Sequence, residues 1–379
     1  MNSRPDKKIP VCQPFLNGRE VEYATDALQT GWISSSGKYV TEFEAAFAKY
    51  CGVHHGVSVC NGTVAIHLAL AALGIGKGDE VIIPDFTMIA TAAAVVYTGA
   101  TPVFVDADAA TWNMDVKQIE AGVTSRTKAI MPVSIFGNPC DMDAIDALAR
   151  KHHLFVIEDA AESHGAEYKG KKTGALADIT AFSFFANKNL TTGEGGMVVT
   201  DDKELAGRCR YFKNLCFPLT GARNYIHEDI GFNYRMSNLH AAIGLAQVEK
   251  ADEYRAMRMR NAKLYKENLN SVAGIIFPQD TAGALNVHWM NAIQLDPESF
   301  GKDRDQLMSH LHSFGIETRL LFAGMHRQPC LKKVGCDCSG AYPVTDRLTE
   351  NGLYLPSASS LTEQDIRYVC ERIKEASRG

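Results

Sequence analysis

The sequence predicts an α/β protein built on a largely parallel sheet, and three observations carry that expectation. Between Gly56 and Thr200 short β-rich runs alternate with helical patterns. The helical stretches carry apolar stripes able to cover a sheet face. Beyond Ala251 the pattern shifts to shorter, mixed α+β segments, which predicts a second and smaller domain.

Taken in order, the strand candidates of the first region are GVSVC, EVIIP, TPVFVD, KAIMPV, LFVIED, ITAFSF and GMVVT, enough for a seven-stranded sheet. Helices are expected over 63–73, 88–97 and 141–153. A long pattern from 237 to about 269 mixes Ala-rich and charged turns and predicts one or two helices leaving this domain. The expected division is therefore 1–250, a large domain with an N-terminal arm, and 251–379, a small one. The small domain offers strand candidates GIIFP, VHWMNAIQL and GIETRLL, with helices near 304–314 and 362–376. Residues 334–341 read as a surface loop, and no internal repeat is present.

The 379 residues are 46% hydrophobic, enough to bury a substantial core. A net charge of -5, without a basic block, argues against a nucleic-acid partner. The N-terminal MNSRPDKKIPVCQPF lacks an apolar signal core, and no run reaches the roughly 20 apolar residues of a membrane span. A cytoplasmic location without a membrane partner is the expectation. Ten cysteines in such a chain read as reduced thiols. No metal site is expected: the pairs His54-His55 and His152-His153 point in different directions, and Cys330, Cys336 and Cys338 lack a fourth ligand at zinc spacing.

Three segments carry chemistry. In VSVCNGTVAIHLALAALG a strand ends, Asn61-Gly62-Thr63 turns, and an apolar helix starts at once. Free amides and the helix dipole suit a phosphate there, and a capped turn that binds nothing is the other reading. In LFVIEDAAESHGA, Asp159 ends an apolar strand, where open α/β sheets build their sites. It suits pairing with a charged ring nitrogen, or serves as an ordinary helix cap. In DITAFSFFANKNLTTGEGGMVVTDD a β-rich run delivers Ser183 and then Lys188 to a glycine-punctuated turn. A lysine there is either a sheltered nucleophile or a solvated surface residue.

The lysine segment SFFANKNLTTGEGG resembles that of the DegT/DnrJ/EryC1/StrS sugar aminotransferases, within the fold-type I enzymes that use pyridoxal 5′-phosphate (PLP). NGTVAIHLAL, PDFTMIAT, FVD, FGNPCDMDAI, EDAAESHGA, GFNYRMSNLHAAIGLAQ and GIETR...MHRQP follow the family's order over nearly the whole chain. The resemblance implies that Lys188 holds PLP covalently and moves the proton between substrate and cofactor, and that Asp159 binds the pyridine nitrogen. It further implies that Gly62, Thr63 and Ser183 hold the phosphate, and that Asn233 reaches the phosphate of a neighbouring subunit, which requires a homodimer with shared active sites. Glu162 would lie near the ring's O3′ side, with His164 close by. Met88 falls where the family often has an aromatic ring stacker; a thioether would do that work, or Phe86 would swing in.

The resemblance also narrows the reaction. Relatives with histidine at the lysine position dehydrate at C-3, and Lys188 argues against that. KNLTTGEGG resembles the group that aminates C-4 more than the group that aminates C-3. The expected reaction transfers the amino group of L-glutamate to C-4 of a nucleotide-diphosphate keto-sugar, GDP-4-keto-6-deoxy-D-mannose, with UDP- or dTDP-4-amino-4,6-dideoxyglucose formation or amination of a C-3 keto-sugar as rivals and a non-catalytic PLP-binding or regulatory relative as the reading from another class. Arg235, Arg319 and His326 are the candidate cations for the diphosphate, each equally suited to a structural ion pair.

Overall fold

In a computed structural model, residues 8–220 and 225–377 are described, so residues 1–7 of the expected N-terminal arm lie outside the described residues. The large sheet has seven strands: β1 (His55–Val59), β2 (Glu80–Pro84), β3 (Thr101–Val105), β4 (Thr127–Ile130), β5 (Phe155–Asp159), β6 (Ile179–Ser183) and β7 (Gly196–Thr200). Their order across the sheet is β1-β7-β6-β5-β4-β2-β3. The pairs β2–β3, β2–β4, β4–β5 and β5–β6 are parallel, whereas β7 runs antiparallel to both β6 and β1. Strands β2, β6 and β7 are buried along their whole length, as expected of a sheet covered on both faces.

The covering helices follow from the sequence pattern. Gly62–Leu73 and Ile89–Thr98 are rich in Ala, Val and Leu and pack in one cluster with Val57, Val81, Ile157 and Val198. Met142–His152 sits on the other face, where Ile145 and Ala149 meet Ile82, Ile130 and Val156. Two helices not anticipated from the pattern, Glu20–Gln29 and Lys38–Cys51, precede the sheet; the second brings Phe43 and Phe47 against Phe182 and Phe184.

The 237–269 pattern resolves into two helices, Asn238–Glu249 and Ala251–Leu269. The second bridges two cores: its Tyr254 packs with Phe43 and Phe47, while its Tyr265 and Leu269 join Ile293, Leu353 and Val369. A four-stranded antiparallel sheet follows, ordered Ile275–Ile276, Asn291–Leu295, Gly352–Leu355 and Arg319–Leu320. Helices Arg304–Ser313 and Glu363–Ala376 cover it, each opened by a capping box.

Candidate active site

The C-terminal ends of β5 and β6 and the turn after β1 meet at one end of the sheet. Gly196 of β7 lies opposite both Val59 and Ser183. A side chain at Gly196 would meet the Asn61 carbonyl at 2.3 Å, so glycine there lets the Asn61-Gly62 turn fold over the sheet. Gly62 approaches Ser183 just as closely: an added Cβ would stand 2.6 Å from the serine Cβ. Asn61 caps the helix by accepting from the Val64 amide at 3.0 Å, and its carbonyl accepts from Ala65. Among the described residues the amides of Gly62 and Thr63 then have no acceptor, at the positive end of the helix dipole.

Asp159 is buried where β5 ends. Its Oδ2 accepts from the Thr91 hydroxyl at 2.8 Å and its Oδ1 from the Ala161 amide at 3.2 Å. Burial raises its carboxyl above the usual range, opposed by those two bonds and by the charge of Lys188.

The turn carrying Lys188 is tied at its base. The Thr191 hydroxyl donates to the Phe184 carbonyl, Gly193 donates to the Thr191 oxygen, and the Lys188 amide donates to the Phe185 carbonyl. Lys188 is half-buried, and burial lowers its amine below the ordinary lysine value while Glu162 and Asp159 oppose that shift. Among the described residues its Nζ has neither a hydrogen bond nor an ion pair; it rests over the Trp289 ring, 3.9 Å from the centroid. Glu162 is buried beside it, accepts the Phe136 amide at 2.7 Å, and is pushed upward by burial.

The remaining expected residues divide. Met88 is exposed at the start of helix Ile89–Thr98. Phe86 does not swing in: it is buried with its ring edge against Phe136 and Phe322. His164 turns into an aromatic cage of Phe47, Phe182 and Phe184; among the described residues neither ring nitrogen makes a hydrogen bond of good geometry, and the nearby Ser183 backbone only partly opposes the effect of burial. Asn233 is exposed, and Arg235 donates to Asn214 at 2.8 Å beside Arg210 and Lys213 in an open cavity. Arg319 is exposed and paired with Glu317.

His326 is engaged within the protein: its Nδ1 meets Asp85 at 2.6 Å and its Nε2 meets Asp346 at 3.1 Å, the structural pairing that was the alternative to a diphosphate contact. Residues the sequence reading missed include Thr91, Trp289 and Arg258. Thr91 is 68 positions from Asp159 and Trp289 is 102 from Asn187, so no local pattern signals either contact.

The residues fit a phosphorylated aldehyde cofactor. They supply an uncommitted amine, a buried carboxylate at a strand end, and unpaired amides beside a serine at a helix start. Such a site on this sheet defines a fold-type I PLP-dependent aminotransferase. The chain belongs to the DegT/DnrJ/EryC1/StrS aminotransferase family, whose model matches residues 14–374. It is 46% identical to GDP-perosamine synthase of Escherichia coli O157:H7 over 369 residues, covering 97% of this chain and 98% of that one. It is likewise 46% identical to GDP-perosamine synthase of Caulobacter vibrioides, with 95% of each chain covered. Its structure is similar to that of DesI determined in the presence of its TDP-sugar product, with a TM-score of 0.90, 34% identity, and coverage of 100% of this chain and 95% of that one. The cofactor is PLP, and the enzyme is a sugar aminotransferase.

Proposed function

We propose that this aminotransferase passes the amino group of L-glutamate to C-4 of GDP-4-keto-6-deoxy-D-mannose, giving GDP-perosamine, and that it works as a homodimer with shared active sites in the cytoplasm. The observation that carries the substrate is the 46% identity to two GDP-perosamine synthases over nearly the full length of each chain. The cytoplasmic reading is supported by ten cysteines that are all free. No helix among the described residues is long and apolar enough to cross a membrane. We take 1–250 and 251–379 as the large and small domains, supported by the separate seven-stranded and four-stranded sheets.

When bound, PLP supplies an aldehyde that captures an amine and a ring that accepts the electron pair released at the reacting carbon. Lys188 is the amine that holds it; once displaced by the amino donor, Lys188 carries the proton to and from the reacting carbon. Asp159, fixed by Thr91, would pair with the ring nitrogen and keep it protonated. Gly62, Thr63 and Ser183 hold the phosphate from one subunit and Asn233 reaches it from the other. Met88 would pack on the ring and Glu162 would border its oxygen side. Arg235 and Arg319 are the cations offered to the diphosphate.

The test is turnover of a panel of GDP-, UDP- and dTDP-linked 4-keto-6-deoxy sugars with L-glutamate, followed by product mass. Amination of the GDP-mannose derivative is the expected result. Turnover confined to a UDP or dTDP sugar, or to a 3-keto sugar, would overturn the substrate. A coloured protein whose visible band ignores L-glutamate would overturn the donor.

A further inference from the structure

Lys188 sits in a half-buried place where an ammonium group needs a partner, yet no carboxylate reaches it within hydrogen-bonding distance among the described residues. The titratable groups around it are Asp159 on β5, Glu162 and His164 in the following turn, and Cys12 of the N-terminal segment. Direct contact comes instead from Trp289, whose ring centroid lies 3.9 Å from Nζ.

The tryptophan is itself fixed at three points. Its indole N–H donates to the Asn187 carbonyl at 2.8 Å, next to the lysine. Its backbone N–H donates to the Phe136 carbonyl at 2.8 Å, and its carbonyl accepts from Arg258 at 3.0 Å. Arg258 is buried and also donates to Ser359 and to the Ser357 carbonyl. The Phe136 amide in turn donates to Glu162, which joins this framework to the same site. The ring face is therefore presented to the lysine by a rigid support drawn from far along the chain.

We propose that Trp289 is a positioning residue for Lys188: its ring face seats the ammonium group whenever the amine is not covalently engaged, while its indole N–H fixes the backbone from which the lysine projects. The inference rests on the reading of Lys188 as the reacting amine. A ring face attracts the charged form without occupying any N–H, and its attraction is spread over the face. Nζ can thus move toward a reacting carbon without first breaking a directed ion pair. The ring also favours protonated Lys188, the form that gives up a proton.

Fluorotryptophans test this, because fluorine keeps the indole shape and N–H but drains the negative ring face. The full-length protein is produced with mono-, di-, tri- and tetrafluorotryptophan and freed of cofactor. The pH dependence of Lys188 acylation by a small reagent is then read by peptide mass. The expected result is a stepwise fall of the Lys188 titration with each fluorine, reaching about one pH unit, a tenfold rise in labelling at fixed pH. Trp32 and Trp112 are exchanged as well, so the same series in Trp289→Phe, where the dependence should vanish, isolates the residue. If heavy fluorination lowers the melting point too far, the mono- and difluoro proteins carry the trend. A Lys188 titration indifferent to fluorination, or equally dependent on it in Trp289→Phe, would overturn the proposal. Borohydride reduction of the holoenzyme with peptide mapping reports separately on the underlying reading: cofactor fixed to another lysine refutes Lys188 as the carrier and leaves the ring contact to be judged by its titration.

Discussion

Asp159 and His164 are close in sequence, yet the fold sends one carboxylate to the site and one imidazole to the core. The reason is local geometry: Asp159 ends a central strand at the C-terminal end of the sheet, while the turn that follows carries His164 against Phe182 and Phe184. Burial pushes His164 from 6.5 down to about 3, so the folded protein keeps it neutral. The unfolded chain takes up that proton below its ordinary value, so the stability this residue permits is full above pH 6.5 and is lost as pH falls toward 3. We expect His164→Leu to stabilise the protein by ~1–3 kcal/mol through removal of a buried, poorly satisfied imidazole, with the gain growing below pH 6.5. Melting temperatures across that range check it, and a gain that shrinks on acidification would refute the assignment. Glu158 has the opposite sign. Burial raises it from 4.5 to about 7, so its contribution is present below 4.5 and is lost as pH rises through 7. Only substitution at each position separates the two. The sequence offered Asp159 and Lys188 as candidates by their places beside strand and turn, with a structural role open for each; it could not mark His164 as a core residue, because a lone histidine carries no local sign of which way its turn will face.

Among the elements, the helix Gly62–Leu73 is proposed to serve two functions at its start. Asn61 caps it, and among the described residues the amides of Gly62 and Thr63 are left without acceptors, as a phosphate site requires. Both uses were legible in the sequence, which left them as alternatives; the close approach of Gly62 to Ser183 shows that the turn is also pressed against β6. The two roles separate by substitution. Asn61→Ala should cost about 1 kcal/mol of stability through loss of the cap. Asn61→Asp should keep that stability but weaken PLP retention by tenfold or more, because a fixed negative charge then faces the phosphate. Thermal melts and cofactor titration measure the two effects, and undiminished PLP affinity in Asn61→Asp would move the phosphate away from this helix. The helices missed by the pattern, Glu20–Gln29 and Lys38–Cys51, precede the strand-rich region; the second carries a regular buried stripe of Tyr39, Phe43, Phe47 and Cys51 that helical periodicity could have found.

For the whole molecule, the exposed side chain of Asn233 makes the assembly testable. If it reaches a partner's phosphate, Lys188→Ala and Asn233→Ala proteins, each inactive alone or severely impaired, should recover activity when refolded together. A mixed dimer then holds one site with both native residues, and recovery near a quarter of the wild-type rate follows from random pairing. No recovery in a verified mixed dimer would sink the shared-site arrangement. Arg258 shows a different long-range dependence: it joins the helix Ala251–Leu269 to Trp289 and Ser357 and so links the small sheet to the lysine turn. The sequence by itself determined the α/β class, the strands and most helices, because periodicity is a local property; local context left Lys188 and Asp159 open between a functional and a structural role, and only the family resemblance of their segments singled them out. Only the tertiary structure decided that Trp289 seats Lys188, that Thr91 fixes Asp159, and that His326 is enclosed by Asp85 and Asp346. Those contacts join distant parts of the chain, and it is packing of the whole fold that brings them within reach.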